Sequence, residues 1–291
     1  MIVLHFILYY LVILPLSWLP FSVLYVFSDF FFVVLYRVFG YRRRVVQANL
    51  RNSFPEKSEA ELSQLEQLFY RHLCDVIVET LKTFSISEKE MRKRFVLRNP
   101  EVADTFYAQG RSVMLFGGHY NNWEWIAVGL KLHVRHMTYG LYKPLSNTFF
   151  DQKIRMSRGR FGMQLVPYKE TRSFLEHYQG EPAMTIFAID QSPNSASRCH
   201  WMTFLHQDTG VPFGLEKFAK EFDTPVIFCR LDKVKRGHYV VSFELLTDQP
   251  VAMPDRWIIE SATRKLEGVI REVPQYWLWS HKRWKLKRPK T

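Results

Sequence analysis

Six short apolar runs, each bounded by glycine, proline or polar residues, recur from residue 112 onward: "SVMLFGG", "VRHMTYGLY", "MQLVPY", "AMTIFAID", "TPVIFCRLD" and "YVVSFELL". Between several of them lie stretches with apolar positions at helical spacing, at 121–132, 147–160, 169–179, 213–222 and 255–272. Runs this short read as buried strands, and their alternation with helices predicts an α/β fold, a mixed sheet with crossover helices on its faces. Upstream, "SEAELSQLEQLFYRHLCDVIVETLKTF" predicts one long amphipathic helix capped at Ser58. "NPEVADTFYAQG" predicts a short helix ended by Gly110. No repeat, low-complexity tract or Pro/Gly/Ser linker divides this part of the chain.

The amino terminus differs. From Met1 to Phe39 the side chains carry two formal charges, Asp29 and Arg37, and residues 6–28 carry none. Roughly 20 apolar residues suffice for a helix to cross a bilayer. Pro15 and Pro20 interrupt the pattern, so two shorter helices lying in the interface fit as well as one spanning helix. A cleavable signal peptide fits less well, since no basic region precedes the apolar run. The division expected is therefore a membrane anchor over 1–39 and a single enzymatic domain over 40–291. Directly after the anchor, "YRVFGYRRRVVQANLRNSF" brings Arg37, Arg42, Arg43, Arg44 and Arg51, which by the positive-inside rule belong on the cytoplasmic side. The same arginines suit anionic headgroups.

Charge and cysteine content narrow the class further. Forty Lys and Arg against 28 Asp and Glu leave a net charge of +12, which favours acidic partners: nucleic acid, acidic lipid or an acidic carrier protein. Aromatics reach 16% and gather near the amino terminus, which points to membrane contact and away from nucleic acid. Cys74, Cys199 and Cys229 are odd in number and far apart, so neither a disulfide framework nor a CxxC site is indicated, and a reducing cytosol is expected. The terminal "YWLWSHKRWKLKRPK" interleaves four aromatics with six Lys and Arg, as in an interfacial belt, with His281 part of it.

The densest polar chemistry lies in "GGHYNNWEW", residues 117–125, where the strand "RSVMLF" turns into a helix. Ligands bind at such carboxyl-terminal strand ends in open α/β sheets. His119 and Glu124 are five residues apart, so a carboxylate in the first helical turn is placed to reach back to Nδ1–H, fix the tautomer and leave Nε2 as a base. The nucleophile would then be a substrate hydroxyl, attacking a thioester while a backbone N–H or a cation holds the oxyanion. Gly117 and Gly118 would let the backbone approach a ligand. A surface or capping role for His119 and Glu124 is the plainer alternative, and metal binding is disfavoured because no third ligand stands nearby.

"GGHYNNWEW" resembles the H-x4-D/E block of the lysophospholipid acyltransferase superfamily, and the form found in bacterial lipid A late acyltransferases. The resemblance extends in order through "GYRRRVVQANLRNSFPEKS", "YKPLSN", "RGRFG", "FAIDQSPN", "FLHQDTGVPFG" and "PQYWLWSHKRWKLKRP". It implies a glycerolipid acyltransferase-like domain on the cytoplasmic face of the bacterial inner membrane. Such a domain moves a fatty acyl chain, without a cofactor, from acyl carrier protein to an anionic lipid acceptor, a hydroxyl of a lipid A precursor. It further implies His119 as general base with Glu124 as its partner, and Arg158 as a holder of substrate phosphate or oxyanion. Asp190, Gln191, Lys143 and Asn147 would contact substrate. Blander roles exist for each: a helix-end cation for Arg158, a turn cap for Asp190 and Gln191, a solvated lysine and a helix-capping asparagine for Lys143 and Asn147. Other members of the superfamily acylate lysophospholipids or aminolipids. A noncatalytic basic membrane-binding protein would explain the anchor and the cations but leaves His119 and Glu124 without a purpose.

Overall fold

A computed structural model describes residues 2–289; Met1, Lys290 and Thr291, the outer ends of the two expected segments, lie outside the described residues. Seven strands form one sheet: β1 (Phe95–Leu97), β2 (Val113–Gly117), β3 (Met137–Tyr142), β4 (Gln164–Pro167), β5 (Ala183–Ala188), β8 (Val226–Lys235) and β9 (His238–Thr247). Their order across the sheet is β1-β9-β8-β2-β5-β3-β4. All neighbours run parallel except the β8–β9 hairpin, which makes the sheet mixed, as expected. The central strands carry almost unbroken apolar sequence because helices cover both of their faces. In β2, Val113, Met114, Leu115 and Phe116 are all buried.

A separate hairpin, β6 (Cys199–Phe204) and β7 (Gln207–Pro212), was not expected. Two-residue hairpin turns need positive φ and normally advertise themselves with Asn or Gly. Here Leu205 (φ 49°) and His206 (φ 61°) take those positions, so the local signal is missing. Leu205 is held there by full burial and by donation of its N–H to Glu267 Oε1 at 3.1 Å.

The long helix, Glu59–Lys82, starts at Ser58 with a complete capping box: Ser58 Oγ accepts from Glu61 N–H, and the Glu61 carboxylate accepts from Ser58 N–H. Such a box is worth about 1 kcal/mol. This helix is the bed for the amino-terminal segment, which forms two helical stretches broken at Leu19–Pro20. The second, Phe21–Val38, is 18 residues with mean hydropathy 1.7, long and apolar enough by composition to cross a membrane. One of its faces is buried through Phe21, Leu24, Ser28, Phe32 and Tyr36, at helical spacing. Polar ties reinforce the contact: Ser28 Oγ donates to Asp75 Oδ1 at 2.8 Å, Tyr25 Oη donates to Glu79 Oε1 at 2.9 Å, and Asp29 pairs with Arg236. Val26, Phe30, Val33 and Val38 on other faces are exposed.

The two terminal clusters read as basic behave differently from a free lipid-facing belt. Arg37, Arg42, Arg43, Arg44 and Arg51 are all exposed, and three of them, Arg42, Arg43 and Arg51, are also engaged within the protein, by Ser280 O, Glu66 and Glu59. At the carboxyl end Trp277, Trp279 and Arg283 are buried, and Trp284 donates to Thr209 Oγ1 at 2.7 Å. That corrects the interfacial reading: Trp277 and Trp279 are core and Trp284 is half-buried, while Lys282, Lys285, Lys287 and Arg288 reach solvent. Residues 276–278 run against the turn after β2, with Asn121 N–H donating to Tyr276 O and Leu278 N–H donating to His119 O.

Candidate active site

The site forms where β2 and β5 end side by side. Their parallel register pairs Gly117 with Ala188, so the residues two further along each strand, His119 and Asp190, arrive level with one another. His119 Nδ1 lies 2.7 Å from Asp190 Oδ1. Asp190 Oδ2 accepts two more bonds, from His119 N–H at 2.7 Å and from Trp277 Nε1–H at 2.8 Å. The His119 side chain retains 19% exposure, while that of Asp190 retains 2%. Burial alone would push Asp190 up, but the facing imidazole and three donors hold it at about 2. Burial pulls His119 down, yet the Asp190 charge and hydrogen bond outweigh it, and its pKa is raised.

The orienting carboxylate is therefore Asp190, and Glu124 is committed elsewhere. Glu124 stands in the first turn of the Trp123–Gly129 helix and forms a bidentate pair with Arg158, at 2.7 and 3.0 Å. Trp123 Nε1 donates to the same carboxylate at 3.1 Å. Asn121, with φ 52°, turns the chain between His119 and that helix, which points the Glu124 carboxylate toward Arg158 rather than back to the ring. Glu124 still faces His119 closely enough to favour the imidazolium. Opposing burial, its charge raises the pKa of Arg158.

The two asparagines of the "HYNNW" run are structural. Asn121 donates to Leu231 O at 2.7 Å. Asn122 caps the helix by accepting from Trp125 N–H, and donates to Glu79 Oε2 at 2.6 Å. Glu79, buried and raised in pKa chiefly by desolvation, also accepts from Tyr239 and Tyr25. The polar density of the turn thus divides between His119 and Glu124, which line a cavity, and two amides that fix the backbone.

The glycines too serve packing. A Cβ on Gly117 would lie 3.3 Å from Cys229 O, and one on Gly118 would lie 2.8 Å from Leu266 and 3.0 Å from Asp190 Oδ2. The close approach is to the protein's own sheet and dyad, although both glycines also border the cavity described next. Gly118→Ala is expected to cost about 1–3 kcal/mol through this overpacking and to displace Asp190, read as a fall in Tm together with activity.

His119 borders two spaces. Behind it lies a mostly apolar cavity of about 140 Å³ walled by Ile126, Ala127, Gly140, Met163, Leu165 and Ile186. In front is an open groove of about 700 Å³ with Lys143, Arg158, Gln191, Ser192, Asn194 and Arg198 along it. Gln191 Nε2 sits 3.0 Å from His119 Nε2, so the amide occupies the second ring nitrogen. Lys143 is exposed on the groove. Asn147 takes the blander role: it caps the Thr148–Arg158 helix by accepting from Phe150 N–H, and its amide lies against His5. His281, expected in a membrane belt, instead accepts from Ser192 N–H at 3.2 Å and so shapes the turn after Asp190.

A family model described as bacterial lipid A biosynthesis acyltransferase matches residues 2–286. None of the curated proteins compared matches the chain.

Proposed function

Because the chain belongs to the bacterial lipid A biosynthesis acyltransferase family, we propose that it moves a fatty acyl chain from acyl carrier protein to a hydroxyl of a lipid A precursor, with His119 as general base. The observation that carries this reading is a ring held at Nδ1 by Asp190 whose Nε2 faces the junction of an apolar cavity with a groove that carries cations and amides on an apolar floor. The cavity suits the acyl chain and the groove a phosphorylated sugar, with Lys143, Arg158 and Arg198 along it.

In the proposed reaction the acceptor hydroxyl displaces the Gln191 amide and donates to His119 Nε2. As Nε2 takes the proton, the oxygen bonds to the thioester carbon, and the Asp190 carboxylate stabilises the imidazolium. The tetrahedral oxyanion is met by Arg158 or by the displaced Gln191 amide. Its collapse breaks the C–S bond, and the imidazolium returns its proton to the departing thiolate. Glu124 keeps the Arg158 fork oriented for this task, a role different from the ring-orienting one its spacing suggested. The net charge of +12 favours an acidic carrier, and residues 1–39 serve as the membrane anchor on the cytoplasmic face. With one face of Phe21–Val38 tied to the domain, the anchor lies in the interface rather than across the bilayer.

The test is reconstitution. Purified protein in lipid vesicles, given acyl carrier protein loaded with a fatty acid and a lipid A precursor, should add the mass of one acyl chain to the precursor. Addition to lysophospholipid alone would reject the acceptor; no transfer from any acyl thioester would reject the reaction. Since the base works only when neutral and its pKa is raised, kcat/KM should fall with decreasing pH through a value above about 6.5.

A further inference from the structure

Asp190 is oriented by a residue 87 positions away, in a segment that composition had marked as surface. We propose that Trp277 is a positioning residue for the reaction: its indole N–H fixes the plane of the Asp190 carboxylate, so that His119 keeps its proton on Nδ1 and presents Nε2 to the groove. The proposal rests on the reading of His119 as the base.

Three observations support it. The indole nitrogen is 2.8 Å from Asp190 Oδ2, and both residues are buried, so no water competes for the bond. Trp277 itself has little freedom, since its ring meets Trp279 edge-on at 4.7 Å between centroids and Phe204 at 5.8 Å. The same segment also grips the histidine's backbone: Leu278 N–H donates to His119 O, and Trp277 bridges Tyr120. One short stretch of chain therefore references both members of the pair to a common frame. A carboxylate with one oxygen on Nδ1–H and the other on two fixed N–H groups has a single orientation; without the indole, its second oxygen keeps one donor. The other ionisable groups facing the pair are Glu124 and Arg158 on the groove side, with His281 and Arg283 from the terminal segment.

The experiment compares Trp277→Phe with site-specific replacement of Trp277 by 3-benzothienyl-alanine, in which sulfur takes the place of N–H at nearly unchanged volume, so that a folding failure of the first does not decide the matter. Trp284→Phe is the control: it removes another indole bond of the same segment, to Thr209, and trims the ring that meets Trp277 edge-on at 5.9 Å, while leaving the Trp277 N–H on Asp190, so it reads the effect of packing alone. Loss of the Trp277 N–H is expected to lower kcat about tenfold, the scale of a hydrogen bond to a charged group, with KM for both substrates unchanged. The acid limb of kcat/KM should also move to higher pH, because a carboxylate relieved of one donor binds the imidazolium more tightly. Trp284→Phe should move neither.

Wild-type kcat and an unshifted acid limb in the benzothienyl variant would overturn the proposal. So would the same shift in Trp284→Phe, which would mark general loosening of the segment. Retention of the wild-type rate by His119→Ala would instead defeat the base reading itself, which separates the two failures.

Discussion

Asp190→Asn is expected to lower kcat by about 10³–10⁴-fold while leaving KM and the fold nearly unchanged, the scale seen when a histidine base is left in the wrong tautomer. The reason is a count of donors. Oδ2 accepts from two N–H groups, whereas Oδ1 accepts from one. An asparagine has one carbonyl oxygen to place, and it will go where two donors converge. Its NH2 then faces His119 Nδ1, which must become an acceptor, and the ring proton moves to Nε2. A ring protonated there cannot receive a proton from the acceptor hydroxyl. Glu124→Gln leaves that tautomer intact and keeps a neutral acceptor for Arg158, so its loss of rate should be the smaller of the two. Steady-state kinetics on both variants checks the order; a larger loss in Glu124→Gln would return the orienting role to Glu124.

His119→Ala should reduce transfer to the background rate while the protein stays folded and bound to vesicles. The backbone N–H at position 119 and the Trp277 indole still bond Asp190 Oδ2, so the buried carboxylate keeps two of its three donors. The pair does contribute to stability, with a sign that pH reveals. His119 is raised in the folded state, so its contribution is complete below the unfolded value of about 6.5 and is lost as pH rises through the folded one. Asp190 is lowered to about 2, so its contribution is complete above about 3.9 and is lost as pH falls toward that lower value. The stability gap between wild type and His119→Ala should therefore be widest between about pH 4 and 6.5 and narrow above it. Urea unfolding at pH 5 and at pH 8 measures this; an equal gap at both would mean that the imidazolium–carboxylate pair does not form.

Much of the architecture is legible in the chain itself. The six apolar runs became β2, β3, β4, β5, β8 and β9, the helices fell between or after them, and Ser58 capped the long helix, because burial periodicity and caps are local properties. β1 and the β6–β7 hairpin were not legible: β1 is three residues long, and the hairpin turns on Leu205 and His206, residues with no turn signature. In the site, His119, Arg158 and Gln191 do converge on one groove, while Asn147 caps a helix beside it.

Which acid serves His119 lay beyond sequence spacing. Five residues separate it from Glu124 and seventy-one from Asp190, yet the parallel register of β2 against β5 makes the distant residue the neighbour. Trp277 and His281 show the same limit, since alternating aromatics and cations are what a lipid-facing belt and a buried segment with solvated cations both display. The sequence by itself determined the layering of the fold, the apolar amino terminus and the location of the polar turn, all set by neighbours along the chain. Tertiary structure alone decided how the charges pair, because a carboxylate's partner is fixed by strand register and by distances of a few ångströms across the sheet, where chain separation carries no information.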